Sequence, residues 1–197
     1  MSPLGAGLAV GGGLLFLLLV ALVTSYNRFV QQTTLVEESW SQVDVELQRR
    51  HDLIPNLVET VKGYAAHERS VLERVTAARV AADQHRRDSP PQRRPFEEEV
   101  GGALSGLMVV AEAYPDLKAS ITFLQLQREL TDTEDRIAAG RRFYNGNVRA
   151  LNTRVGTFPS NVVAAMFGFD RSEFFELSDP AAATPPQVGP ALTEETP

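Results

Sequence analysis

Apolar and polar positions divide this chain into two unlike stretches. From Leu4 to Val23 there is no charged residue, and the run is followed by Tyr26-Asn27-Arg28. At about 1.5 Å of rise per residue, a helix of this length spans the roughly 30 Å hydrocarbon core of a bilayer. Residues 1–25 therefore read as an N-terminal transmembrane anchor. From Val36 onward the apolar positions become periodic. Val36, Trp40, Val43, Leu47, Ile54, Leu57, Val61, Tyr64, Val71, Val75 and Ala78 follow alternating four- and three-residue steps, and only Arg50 and Glu68 are polar in that register. Such spacing lays one apolar stripe along a helix, as in coiled coils and helical bundles.

Pro55 interrupts the stripe, because its ring removes a backbone donor and crowds the preceding turn. The heptad phase runs through it unbroken, which favours a kinked but continuous rod. The alternative is a hairpin at 50–54 with a fresh start near Asp52, giving a regular four-helix bundle. His85 to Pro95 reads as a linker, since Ser89-Pro90-Pro91 and Pro95 oppose helix there. A second helix is predicted from Phe96 to Tyr114, with Phe96, Val100, Ala103, Leu107, Val110 and Tyr114 on one face. A third begins near Ser120 and turns Phe123, Leu126, Leu130, Ile137, Tyr144, Leu151, Val155 and Phe158 inward. Ser160 is placed to cap a short apolar helix, Asn161 to Phe167, closed by Gly168. The expected fold is all-α, an antiparallel helical bundle of three to four long helices over 26–177. Residues 178–197, rich in Pro, Ala and Thr, read as a disordered tail.

Composition narrows the chemistry. No cysteine is present, so disulfides, thiolate catalysis and thiolate-bound metals are excluded. The net charge of −6 argues against nucleic acid as a partner. An n-region without a side-chain cation and the poor cleavage site Ala21-Leu22-Val23 argue for a retained anchor over a secretory signal. Only Arg28 flanks the span closely, so charge asymmetry leaves the orientation weakly determined; the soluble domain is assigned to the cytoplasmic side.

No catalytic pattern emerges. His67-Glu68 begins like a zinc-protease helix, but Val71 stands where the second histidine would be. Glu-x-x-His pairs of the di-iron bundle type do not occur. His51, His67 and His85 read as surface residues. Glu129, Asp132, Glu134 and Asp135 read as a solvated face, with Asp132 four residues from both Arg128 and Arg136. No catalytic residue, cofactor or metal ligand is therefore expected. Two features invite partners instead. Gly7, Ala9, Gly11 and Gly13 form a small-residue face for packing between membrane helices, hence a candidate homo-oligomer. Arg86, Arg87, Arg93 and Arg94 form a basic candidate interaction surface. On a continuous rod it would stand about 90 Å from the membrane. Asn145, Asn147 and Asn152 read as polar groups that fix register.

The stretches YNRFVQQTTLVEESWSQVDVELQRRHDLIPNLVETVKGYAAHE, AEAYPDLKASITFLQLQRELTDTEDRIAAGRRFYN and FPSNVVAAMFGFDRSEFFE resemble the LemA family, in the family's order, across most of 26–177. The resemblance implies a bacterial, single-pass membrane protein with a helical domain, and it implies no reaction. Gly140, Gly146 and Asp135 depart from the pattern, and the two glycines are expected to soften the third helix. The expected function is a membrane-anchored, non-enzymatic scaffold that meets another membrane or envelope protein. A lipid- or curvature-responsive organiser is the alternative: in it, Asn161–Gly168 and Phe174-Phe175 dock on the bilayer instead of covering the open end of the bundle.

Overall fold

The structure is a computed structural model; it describes residues 3–176, with side chains from Gly11 onward, and among these residues every regular element is helical. Six helices follow in order: α1 Pro3–Lys62, α2 Arg69–Gln84, α3 Pro90–Glu112, α4 Pro115–Lys118, α5 Ile121–Gly156 and α6 Ser160–Phe167. The expected all-α antiparallel bundle is the observed architecture. The tail at 178–197 lies outside the described residues.

α1 passes from the apolar run into the bundle as one helix, straight through Pro55. Proline cannot donate to the carbonyl four residues back, which is that of His51. Arg79 of α2 takes that carbonyl instead, its Nε donating at 2.8 Å. The rod nevertheless ends sooner than the heptad phase suggested. Gly63 to Glu68 form a turn in which the Tyr64 and Ala65 amides both donate to the Val61 carbonyl. α2 then folds back along α1, so the apolar stripe 36–78 is shared by two antiparallel helices.

α3 starts at Pro90, earlier than expected. Ser89 and Gln92 form a capping box, and prolines at the first two helical positions lose no hydrogen bond. Pro95 sits inside the helix and does not end it. This extra turn carries Arg93 inward. α4 closes the distal end, where the Tyr114 hydroxyl donates to Glu68 Oε1 at 3.2 Å. Ser120 caps α5, accepting from the Phe123 amide.

α5 returns the whole length of the bundle against α1. Arg50 meets Glu134, Gly140 faces Val43, and Asn147 reaches the Leu35 carbonyl, a steady antiparallel register. α5 runs unbroken through Gly140 and Gly146. At Gly140 the two helices approach closely, since an added Cβ would stand 3.2 Å from Val43 Cγ2.

Two cores result. The distal one gathers Ile54, Leu57, Val61, Leu72, Val75, Leu104, Leu107, Leu117 and Phe123 from α1 to α5. The proximal one gathers Phe29, Val36, Val43, Leu47, Ile137, Tyr144, Leu151 and Phe175 between α1, α5, α6 and the C-terminal segment. Phe158, expected inside, is 78 % exposed, because α5 ends at Gly156 and the chain turns away. Ser160 does not act as the cap of α6; its Oγ donates to the Arg154 and Thr157 carbonyls from within the first turn. Gly168 closes α6 with φ 73°, the left-handed conformation a glycine adopts at a helix end.

Candidate functional site

Between the two cores lies a layer of buried charge. Arg50, at the polar break in the heptad stripe, is 1 % exposed and donates from Nη2 to Glu97 Oε2 at 2.6 Å and from Nη1 to Glu134 Oε1 at 3.1 Å. His51 Nε2 donates to the same Glu97 oxygen at 3.1 Å. Arg93, one turn before Glu97 on α3, bridges Glu97 Oε1 at 3.2 Å and Asp44 Oδ1 at 2.6 Å. Its guanidinium also lies over the Trp40 ring, 5.3 Å from the centroid. Burial pushes the Glu97 carboxyl up. The hydrogen bond from His51 and the positive charge of Arg50 outweigh this and hold its pKa at about 2, from an ordinary 4.5.

This layer is chemically quiet. Glu97 is already shared among three donors, and it stays ionised far below neutral pH, so it is poorly suited to move protons. Buried ion pairs of this kind contribute little net stability over apolar replacements, but they penalise any register that separates the partners. The layer locks α1, α3 and α5 at one height.

Sequence reasoning placed several of these residues wrongly. Arg93 is buried, not part of a surface patch, while Arg86, Arg87 and Arg94 are exposed. Arg86 and Arg87 share a cleft with Asp44, Asp83 and Gln84. Because α2 folds back, this cleft stands level with Asp44, about 30 Å along α1 from Val23 at 1.5 Å per residue, not about 90 Å. Of the histidines, His67 is exposed, His51 is buried in the charged layer, and His85 stacks on Phe96 with centroids 3.6 Å apart. Glu134 leaves the acidic face for Arg50, and Arg136 reaches across to Glu46 at 3.6 Å. Among the described residues no group of three His, Asp or Glu side chains is placed to hold a metal. Gly11 and Gly13 face open space on α1; Gly7 and Ala9 lie outside the residues whose side chains are described.

The proximal core carries a second arrangement. After α6 the chain runs back along α5 as an extended strap. Asn152 pairs with both backbone groups of Ser172, at 2.8 and 2.9 Å, and Asn145 does the same with Phe175, at 3.0 and 2.9 Å. Seven residues apart, the two asparagines lie two turns apart on one face of α5. The Tyr144 hydroxyl donates to the Glu173 carbonyl at 2.8 Å, and burial, with the Glu173 charge second, pushes its pKa up to about 12. Phe175 is fully buried against Trp40. Of the two expected roles for Phe174-Phe175, covering the bundle is the one Phe175 performs.

α6 itself packs beside the start of the bundle. Phe167 and Phe169 lie 4.9 and 5.6 Å from the Tyr26 ring, and Phe169 stacks on Phe29 at 4.8 Å. The N-terminal part of α1, with Leu14 to Leu19 all more than half exposed, fits a membrane protein.

Comparison with known sequences agrees with this helical, membrane-associated picture. The model of the LemA family matches residues 39–189. Magnetosome proteins MamQ 1 and MamQ 2 of Paramagnetospirillum magneticum are each 28 % identical over 202 residues, covering 90 % of this chain and 73 % of theirs. Protein LemA of Metamycoplasma hominis is 27 % identical over 155 residues, covering 78 % of this chain and 69 % of its own. None of these names is that of an enzyme.

Proposed function

The chain belongs to the LemA family, and we propose that it is a single-pass, non-enzymatic scaffold of the bacterial cell membrane that presents its bundle to another membrane or envelope protein. The observation that carries this reading is the continuity of α1. One helix of sixty residues holds the apolar run at one end and supplies a wall of both cores at the other. A bundle built on the anchor's own helix has no flexible linker, so its height and rotation are set relative to the bilayer. That favours holding a partner in place over turnover. The charged layer supports the same reading, since its cations and Glu97 are consumed in fixing register.

The exposed surface around Arg86 and Arg87, about 30 Å from the span, suits a partner that also stands on the membrane. A second copy packed along Gly7, Ala9, Gly11 and Gly13 is one such partner. We place the bundle on the cytoplasmic side; a reporter fused at the C-terminus reads this directly. Photo-crosslinking from position 86 or 87 in native membranes, followed by mass spectrometry, tests the scaffold. A discrete adduct is expected. If no specific partner is recovered, not even a second copy of the chain, the scaffold reading fails.

A further inference from the structure

We infer that α6 is a foot that rests in the headgroup region of the same bilayer that α1 crosses. α6 carries no charge, and its outer face is apolar. Val162, Ala165 and Met166, at i, i+3 and i+4, all point away from the bundle, opposite the buried Ala164. Val162 is 52 % and Met166 61 % exposed, and Phe158 just before the helix is 78 % exposed. Nothing among the described residues covers this face. A contiguous apolar surface of that kind marks contact with a membrane or a partner.

Position selects the membrane. The foot does not lie at an arbitrary point on the bundle. Phe167 packs on Tyr26, three residues after the apolar run ends at Val23, which is about 4.5 Å along the helix axis. The antiparallel register of α5 on α1 independently brings the end of α5, at Gly156, level with about residues 26–28, and α6 follows directly from there. The apolar face of α6 is therefore continuous with the exposed apolar surface of α1 at the height where the span leaves the hydrocarbon. Tyr26, 38 % exposed, stands there as an interfacial aromatic does. Exposed Arg28 and Arg171 flank the site, but Asp170 lies beside Arg171, so the attraction is mainly apolar and zwitterionic lipid suffices. Anchored at two points instead of one, the bundle would hold a set tilt against the bilayer.

The inference rests on the membrane-anchor reading of α1, and one experiment separates the two. The chain contains no cysteine, so the full-length protein with Met166→Cys can be labelled at a single site with an environment-sensitive dye. It is reconstituted into phosphatidylcholine vesicles, with Val109→Cys, exposed on α3, labelled as the distant control. We expect the protein to float with the vesicles. The Met166 label should shift to the blue and be quenched several-fold more by lipids brominated near the headgroup than the Val109 label. Flotation with equal, weak quenching at both sites overturns the foot and leaves the anchor standing. A blue shift at Met166 without lipid quenching assigns the face to a protein contact and also overturns it. A chain that fails to float overturns both.

Discussion

The Arg79 guanidinium donates at 2.8 Å to the carbonyl of His51, the carbonyl that the Pro55 ring deprives of its helical partner. One side chain of α2 thus repairs the break that proline makes in α1, and in doing so fixes the height at which α2 lies. His51 is 2 % exposed, so solvent is poorly placed to repair the break instead.

Arg79→Ala should destabilise the bundle by about 1–3 kcal/mol, the range for leaving a buried acceptor unpaired. In a Pro55→Ala background the restored amide serves His51, and the same change should cost clearly less. Chemical denaturation of the four proteins in detergent reads the difference; equal losses in both backgrounds would dissociate Arg79 from Pro55.

Glu97→Ala should be among the most damaging single changes in the soluble part, at up to about 3–5 kcal/mol, because buried Arg50 and Arg93 lose the buried carboxylate they share and keep only the more exposed Glu134 and Asp44. Replacing the pair together, Arg50→Met with Glu97→Leu, should lose less than Glu97→Ala alone, since the buried Arg50 charge goes with its partner and apolar side chains fill the space. Thermal melts monitored by circular dichroism decide the order.

Acid should weaken the fold through this same carboxylate. In the unfolded chain Glu97 takes up a proton near its ordinary 4.5, while the folded chain resists protonation down to about 2. Its contribution is therefore complete above about pH 4.5 and is lost as pH falls toward 2. Between pH 6 and pH 3 the wild-type denaturation midpoint should drop further than that of Glu97→Gln. Parallel drops would remove Glu97 from the cause.

Phe175→Ala should cost about 3–5 kcal/mol by emptying the space beside Trp40. Asn145→Ala should cost less, about 1–3 kcal/mol, but should free the strap selectively. Limited proteolysis is then expected to cut within residues 169–176 before the bundle unfolds. Cleavage that begins instead in the turn at 63–68 would count against the strap as the weakened element.

Gly146→Ala should stabilise the protein by roughly 0.5–1 kcal/mol, because nothing lies within 4 Å of the added methyl and alanine favours helix. Gly140→Ala should gain less or lose outright, as its methyl meets Val43 Cγ2 at 3.2 Å. Melting temperatures of the two variants compare them directly; a larger gain at position 140 would mean that Val43 yields freely.

Much of the fold was legible because local periodicity reports directly on burial. The faces running through Val43, Leu47, Ile54 and Leu57 on α1, and through Phe123, Leu130, Ile137, Tyr144 and Leu151 on α5, are buried as their spacing predicts. Arg50 is visible too, as a cation in an apolar register, and Arg93 and Glu97 at i,i+4 are a second signal of the same kind. Their meeting across α1 and α3 was not legible, since a heptad phase says which face is covered and not by what.

The sequence by itself determined the apolar span, the helical content, the inward faces of the long helices and the left-handed stop at Gly168. Each depends on residues within a turn or two of one another. Only the tertiary structure decided that α2 doubles back after Lys62, that Pro55 is spanned with help from Arg79, and that Arg93 and His51 are interior while Phe158 and the outer face of α6 are not. Those outcomes depend on which distant segment supplies the missing hydrogen bond, counterion or cover. The same spacing of residues is compatible with several such partners, and packing all the helices at once leaves one.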